Sequence, residues 1–254
     1  MILAIDVGNT NIVLGCIEDG NIQSIVRLHT DVKQTGAEYA IKLKQVFDLY
    51  GVEISRLTGA IYSSVVPPVN RPMLSAVKAV TGLECMVVGP GIKTGLNLRI
   101  DDPGTLAGDL LVGGVAAVSC YGAPVIIMDL GTATTITAVD RDGAFRGGAI
   151  LPGVKLGMAA LAAGTSLLPD ISITPPKKVI GTNTVDCMRS GAVYATAAAI
   201  DGMIDRMERE LGYPCARVAT GGLAQAIVAC CEHPIACDND LLLKGLWELW
   251  KKNR

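Results

Sequence analysis

The sequence predicts an α/β protein built twice over, and three observations carry the prediction. One short signature occurs in two versions, Asp6-Val7-Gly8-Asn9-Thr10 and Asp129-Leu130-Gly131-Thr132-Ala133. Each follows an apolar run, Ile2-Leu3-Ala4-Ile5 or Val125-Ile126-Ile127-Met128, that reads as a buried strand ending in a carboxylate and a tight glycine turn. Behind each signature a strand meander gives way to alternating helices and strands, the pattern of a layered α/β unit. The expected division is 1–118 and 119–254, with a cleft between two similar halves.

Taken in order, residues 2–7, 12–18 and 21–29 read as a three-stranded meander turned at Asp19-Gly20. Ile41, Leu43, Val46, Phe47 and Tyr50 are spaced for a helix over 37–50. Apolar residues 60–66 predict a strand stopped by Pro67-Pro68, with a helix through Met73, Leu74 and Val77. Met86-Val87-Val88 predicts a short strand. A helix is expected from about Asp109 to Ala117. The second half repeats the plan with strands at 124–129, 133–139 and 144–151, turned at Asp142-Gly143. Helices follow near 153–163 and over 184–211. The strand Arg217-Val218-Ala219-Thr220 leads into Gly221-Gly222 and another helix. A last helix from about Asn239 carries Trp247 and Trp250 on one face, a spacing that predicts packing.

Composition narrows the function. Half of the 254 residues are hydrophobic but only 4% are aromatic, so the core is aliphatic; the net charge is −2. The largest basic cluster is the terminal Lys251-Lys252-Asn253-Arg254, which argues against nucleic-acid binding through a phosphate-tracking patch. The longest apolar stretches are broken by glycine and too short to span a bilayer, so no membrane role and a cytoplasmic location are expected. Cys230, Cys231, His233 and Cys237 lie close in sequence, but their spacing matches no familiar zinc module; ordinary thiols are the expectation.

The chemistry sits at three turns that each follow a strand. In Asp6-Val7-Gly8-Asn9-Thr10-Asn11, backbone N–H groups and the Asn and Thr side chains can bind phosphate oxygens. Asp6 stands where it can orient a phosphate-bound Mg²⁺ through water. A plain hairpin explains this turn equally well when it is taken alone. The second turn, with Thr132, Thr134 and Thr135, tips the balance towards a polyphosphate ligand. Gly221 and Gly222 give a third turn, where a base or ribose can lie against the backbone. Together the three point to nucleotide binding.

These motifs, with Gly147-Gly148-Ala149-Ile150-Leu151-Pro152-Gly153 and Gly181-Thr182-Asn183-Thr184, resemble the type III pantothenate kinase family over essentially the whole chain. The resemblance implies duplicated ribonuclease H-like domains of the actin-like ATPase fold with an inter-domain nucleotide cleft. It implies ATP-dependent phosphorylation of pantothenate to 4′-phosphopantothenate, the first step towards coenzyme A, by a homodimer that needs Mg²⁺ and a monovalent cation, K⁺ or NH₄⁺. By position, Asp6, Val7, Gly8, Asn9, Thr10, Asn11, Ile12 and Val13 would contact ATP phosphates, and Thr132 would add an ATP contact. Asp129 would bind the monovalent cation, and Thr184 would hydrogen-bond pantothenate. Ala107, Gly108, Asp109 and Leu110 would form the acceptor segment, with Asp109 as catalytic base. On the residues alone the plainer reading of Asp109, an acid in a first helical turn, is the favoured one, and only its position in the family pattern reverses that. The small-residue stretch 191–200 is read either as a subunit interface, which the resemblance favours, or as a buried intrachain helix.

The acceptor segment departs from the family's Gly-x-Asp-Arg pattern. Leu110 stands at the Arg position and Ala107 at the first Gly, while Ile100 and Gly113 replace an expected Tyr and Asn. Losing Arg removes a fixed charge and up to five donors. Three readings follow: a pantothenate kinase with a rearranged acceptor pocket, a kinase for another small hydroxyl compound, or a non-catalytic nucleotide-binding regulator. The retained Asp109 argues against the last.

Overall fold

The computed structural model describes all residues from Met1 to Arg254. In chain order its elements begin with strands β1 (Ile2–Val7), β2 (Asn11–Glu18) and β3 (Asn21–His29), then helix α1 (Gly36–Leu49). Strand β4 (Gly59–Ser64), helix α2 (Pro67–Thr81), strands β5 (Cys85–Val87) and β6 (Asn97–Leu98) and helix α3 (Gly108–Tyr121) follow. The second meander is β7 (Val125–Leu130), β8 (Ala133–Val139) and β9 (Ala144–Pro152). After it come α4 (Val154–Gly164), α5 (Thr184–Ser190), a π-helical turn (Gly191–Ala195) and α6 (Thr196–Leu211). The chain ends with β10 (Ala216–Thr220), α7 (Ala224–Val228), β11 (Ala236–Cys237) and α8 (Leu241–Asn253).

The duplication is visible in the strand order. One sheet runs β3-β2-β1-β4-β5, and the other runs β9-β8-β7-β10-β11 with β6 added at the β9 edge. In both, an antiparallel meander is extended by parallel strands: β4 beside β1, and β10 beside β7. The alternating patterns therefore mean the same thing twice.

Two compact units result. Met1–Gly95, Gly104–Ala116 and Leu242–Arg254 form the first, and Leu96–Pro103 with Ala117–Leu241 the second. Relative to a division at residue 118, the C-terminal segment lies with the first unit and a short stretch before α3 with the second. Packing explains where α8 goes. A methyl at Gly59 would stand 2.1 Å from Trp250 Cη2, and one at Gly15 would stand 2.8 Å from Leu243 Cδ1. Gly20, at the β2–β3 turn, faces the Trp247 ring. Glycines on the first sheet thus leave slots for side chains of α8, and both tryptophans are packing residues.

Within the first unit, Leu3, Ile5, Leu43, Phe47, Tyr62 and Met73 belong to one buried cluster. Helix α1 is started by a capping box, in which Thr35 accepts from the Glu38 N–H and Glu38 accepts from the Thr35 N–H. Its buried residues Tyr39, Leu43 and Phe47 recur at i, i+4 and i+8. Helix α2 opens on Pro67 itself, a favoured first helical residue, so the proline that stops the strand also starts the helix. The Asp19-Gly20 turn has positive φ at both residues, which joins β2 and β3 tightly.

The second unit packs Ile126, Met128, Ile136, Ala192, Val193 and Ile204 together. The sequence predicts one helix over 184–211; the structure interrupts it with the π-helical turn. The small-residue stretch serves the intrachain core on one face, where Ala192, Val193, Ala197 and Ile200 are buried. Gly191, Ala195 and Ala198 are exposed on the other. All eight cysteines are free. Cys230 and Cys231 each turn their thiol to a backbone carbonyl, and His233 pairs with Asp205 at 2.8 Å. No helix is long and apolar enough to cross a membrane.

Candidate active site

In the first unit, β1 is buried along its whole length and delivers Asp6 to its end, only 8% exposed. The turn closes on itself: Gly8 N–H donates to Asn11 O at 2.9 Å, and Thr30 Oγ donates to Gly8 O at 2.7 Å. A second bond, Thr30 N–H to Thr10 O, braces the turn from β3. Asn9, Thr10 and Asn11 are exposed at the surface of this turn. Ile12 is fully buried, in register with Val7 and Leu28 of the strands on either side. Val13 is half-buried.

The parallel neighbour β4 adds a residue that motif reading missed. Ser63 is in register with Asp6 and is completely buried. A methyl at Gly108, the first residue of α3, would stand 3.0 Å from Ser63 Oγ. Asp109 comes next, in the first helical turn. Its Oδ1 accepts the Leu110 N–H at 2.8 Å, so part of its role is helix capping, as the plainer reading holds. Burial nevertheless outweighs this hydrogen bonding and pushes its carboxyl above the usual aspartate range. Capping and an unusually proton-hungry carboxylate thus coexist. Leu110 and Ala107 are half-buried beside it, and Gly113 faces Leu242 of α8. A methyl at 113 would meet Leu242 Cδ2 at 3.6 Å, an ordinary contact, so a side chain there would lie against α8.

In the second unit, Asp129 is the last residue but one of β7 and is half-buried. Glycines crowd it. A methyl at Gly131 would stand 3.3 Å from Asp129 Oδ1, and one at Gly221 would stand 2.8 Å from the same oxygen. Gly221 has φ +100°, a conformation that excludes ordinary side chains, and sits against the Leu130 carbonyl. Thr220, in register with Asp129, is buried. Gly131 and Thr132 are exposed.

Gly153, the N-cap of α4, is packed on this turn. It donates its N–H to Thr132 O at 3.2 Å, and a methyl there would lie 2.2 Å from that oxygen. The N-terminus of an eleven-residue helix therefore adjoins the Thr132 turn, a favourable setting for an anion. The helix behind Gly221-Gly222 is weaker than the sequence implies, since α7 has only five residues and begins at Ala224. A cavity of 420 Å³ lies alongside, lined by Lys155, Met158, Asp170, Ser172, Ile173 and Leu223 among others.

Thr184 is exposed at the first position of α5, whose N-cap Asn183 accepts from Asp186 N–H at 2.9 Å. Gly181 is needed behind it, because a methyl would stand 2.5 Å from Cys187 N. Ile100 packs on Gly147 of β9, so in this chain the position is filled by an apolar contact.

Comparison with known proteins agrees with this anatomy. A family model described as type III pantothenate kinase matches residues 2–206. A protein of Halalkalibacterium halodurans named type III pantothenate kinase is 41% identical over 253 residues, covering 100% of both chains. Among solved structures, component A of the (R)-2-hydroxyglutaryl-CoA dehydratase of Acidaminococcus fermentans superposes with a TM-score of 0.56. That match covers 99% of this chain and 98% of the other at 14% identity. An inorganic polyphosphate/ATP-glucomannokinase from an Arthrobacter strain gives 0.51 at 15% identity, covering 99% of each. At such identities these structures show the fold alone, that of the actin-like ATPases and sugar kinases.

Proposed function

The chain belongs to the type III pantothenate kinase family, and from that premise we propose that it transfers the γ-phosphoryl group of ATP to the primary hydroxyl of pantothenate. The observation that carries the reading is Asp109, held in the first turn of α3 with its carboxyl raised by burial. In the reaction the pantothenate oxygen attacks the γ-phosphorus and the bond to the ADP oxygen breaks. Asp109 takes the hydroxyl proton, and a carboxylate of raised proton affinity is better suited to that task. Phosphoryl transfer otherwise asks mainly for positioning and charge neutralisation.

Each binding element then has a role. In the first unit, Asp6 and the exposed Asn9-Thr10-Asn11 turn engage ATP phosphates, with Gly8, Val7, Ile12 and Val13 contributing backbone. In the second, Thr132 and the α4 N-terminus receive phosphate oxygens, and Gly221-Gly222 with the adjoining cavity takes the nucleoside. The oxygen donors of Asp129 and the neighbouring turn suit hard cations, so they fit K⁺ or NH₄⁺, and Asp6 fits water-mediated contact with Mg²⁺. Bound cations would neutralise phosphate charge. For pantothenate, the first unit offers Ala107, Gly108 and Leu110, and the second offers Thr184.

We place the enzyme in the cytoplasm as a homodimer. Free cysteines throughout support a reducing compartment. Exposed Ile150, Leu156 and Ile180 and the small residues Gly191, Ala195 and Ala198, all in the second unit, support a second copy as their cover.

Leu110 and Ile100 favour one competing reading, an acceptor less polar than pantothenate. A coupled assay of ADP release, run with pantothenate and a panel of small hydroxyl compounds in K⁺, NH₄⁺ and Na⁺, separates the two. The proposal expects pantothenate to give the highest kcat/KM. Preference for another acceptor by tenfold or more would replace it.

A further inference from the structure

Each unit places a hydroxyl residue in register with the carboxylate one residue before the end of its first strand: Ser63 with Asp6, and Thr220 with Asp129. Register partners on parallel strands project to the same face of the sheet. The two pairs are therefore counterparts of the duplication, and the motif signatures name only one member of each.

Ser63 has a further property. It is 0% exposed, and its Oγ has no hydrogen-bond partner. Only three buried side chains carry such an atom; another, Thr134, is in register with Leu130 beside Asp129. Two of the three thus border the two signature turns. A buried hydroxyl without a partner makes folding less favourable, so as a packing residue serine is inferior to alanine here. The hydroxyl is also pressed against a particular place. Gly108, the first residue of α3 and the neighbour of Asp109, faces it with little room to spare: even a methyl there would stand 3.0 Å from the Ser63 Oγ. Asp109 meanwhile spends Oδ1 on the Leu110 N–H of its own helix.

We infer that Ser63 is a positioning residue for phosphoryl transfer, its unpartnered hydroxyl donating to the Asp109 turn when substrate draws that turn onto β4. The inference rests on the kinase reading above. The free hydroxyl is then a donor held in reserve, satisfied only in the reacting complex, and the cost it imposes on the unliganded fold is recovered there.

Ser63→Ala tests it, with kcat, the KM values for ATP and pantothenate, and melting curves measured with and without both ligands, using Mg²⁺ and the non-hydrolysable ATP analogue for the melts. The expected result is a melting temperature equal to or above wild type without ligand and a smaller ligand-induced rise. With it comes a fall in kcat of about tenfold, with the KM for ATP within twofold. Ser63→Cys, similar in size with a weak donor, should fall between the two. A purely structural serine predicts the same unliganded melting change with kcat untouched, and a Ser63→Ala kcat within twofold of wild type overturns the inference. Wild-type protein that forms no ADP with pantothenate overturns the kinase reading instead, and the inference with it.

Discussion

Replacing Gly221 by alanine should damage both the fold of the second unit and its ligand site. The new methyl would stand 2.7 Å from the carbonyl carbon and oxygen of Leu130 and 2.8 Å from Asp129 Oδ1. Two of these neighbours are backbone, so little can give way. Gly221 also has φ +100°, where a side chain costs about 1–3 kcal/mol. Overpacking adds a further 1–3 kcal/mol or so. A total of about 2–6 kcal/mol corresponds to a fall in melting temperature of roughly 4–24 °C for a chain of this size. Because one contact is the Asp129 carboxylate, the KM for ATP should rise as well. Gly222→Ala is the matched control: a methyl there meets nothing within 4 Å and its φ is not positive. It should stay within about 0.5 kcal/mol of wild type. Differential scanning calorimetry and ATP kinetics on the three proteins decide the matter. A Gly221→Ala protein melting within about 2 °C of wild type, or a Gly222→Ala protein destabilised as much as Gly221→Ala, would refute the reasoning.

Three further outcomes are expected. Gly59→Ala should destabilise by about 2–3 kcal/mol, because its methyl meets the Trp250 ring at 2.1 Å; in a Trp250→Leu background it should cost under about 1 kcal/mol, measured as a denaturant double-mutant cycle. Arg217→Met should cost about 2 kcal/mol by urea denaturation, since it strands Glu208, whose Oε1 lies 2.8 Å from the guanidinium and whose side chain is only 16% exposed; a loss under about 0.5 kcal/mol would show the pair to be idle. Asp109→Asn should melt above wild type at pH 7. Burial raises the Asp109 carboxyl, so the folded state holds its proton more tightly and stability falls as pH rises from the unfolded value, about 3.9, through the folded one. The advantage of the variant should therefore vanish below about pH 4; a constant difference across pH would contradict that assignment.

Much of this architecture is legible in the sequence because both units advertise themselves locally. Buried runs such as Val125–Met128 end in a carboxylate and a glycine, and Asp19-Gly20 marks its hairpin by turn chemistry. The departures are matters of tertiary packing. Nothing in Leu243, Trp247 or Trp250 says that α8 belongs with the first sheet; only Gly15, Gly20 and Gly59 leaving space opposite them does. The strand Arg217–Thr220 and its Gly-Gly turn are plain, but the helix behind them ends after five residues. Gly153 is conspicuous as a letter in a motif, yet its reason, the Thr132 carbonyl beside it, is three-dimensional. Ser63 left one faint signal, a polar residue inside an apolar run, which acquires meaning from its register with Asp6.

The central claim is that Asp109 is the base of a pantothenate kinase. Mass spectrometry of the product formed from pantothenate, Mg-ATP and K⁺ or NH₄⁺, by wild type and by Asp109→Asn, tests it most directly. The account predicts 4′-phosphopantothenate from wild type and a rate about 10²–10⁴-fold lower from the variant, with ATP binding retained. A variant within tenfold of wild type would remove Asp109 from the chemistry, and no product from wild type at saturating substrate would contradict the function itself.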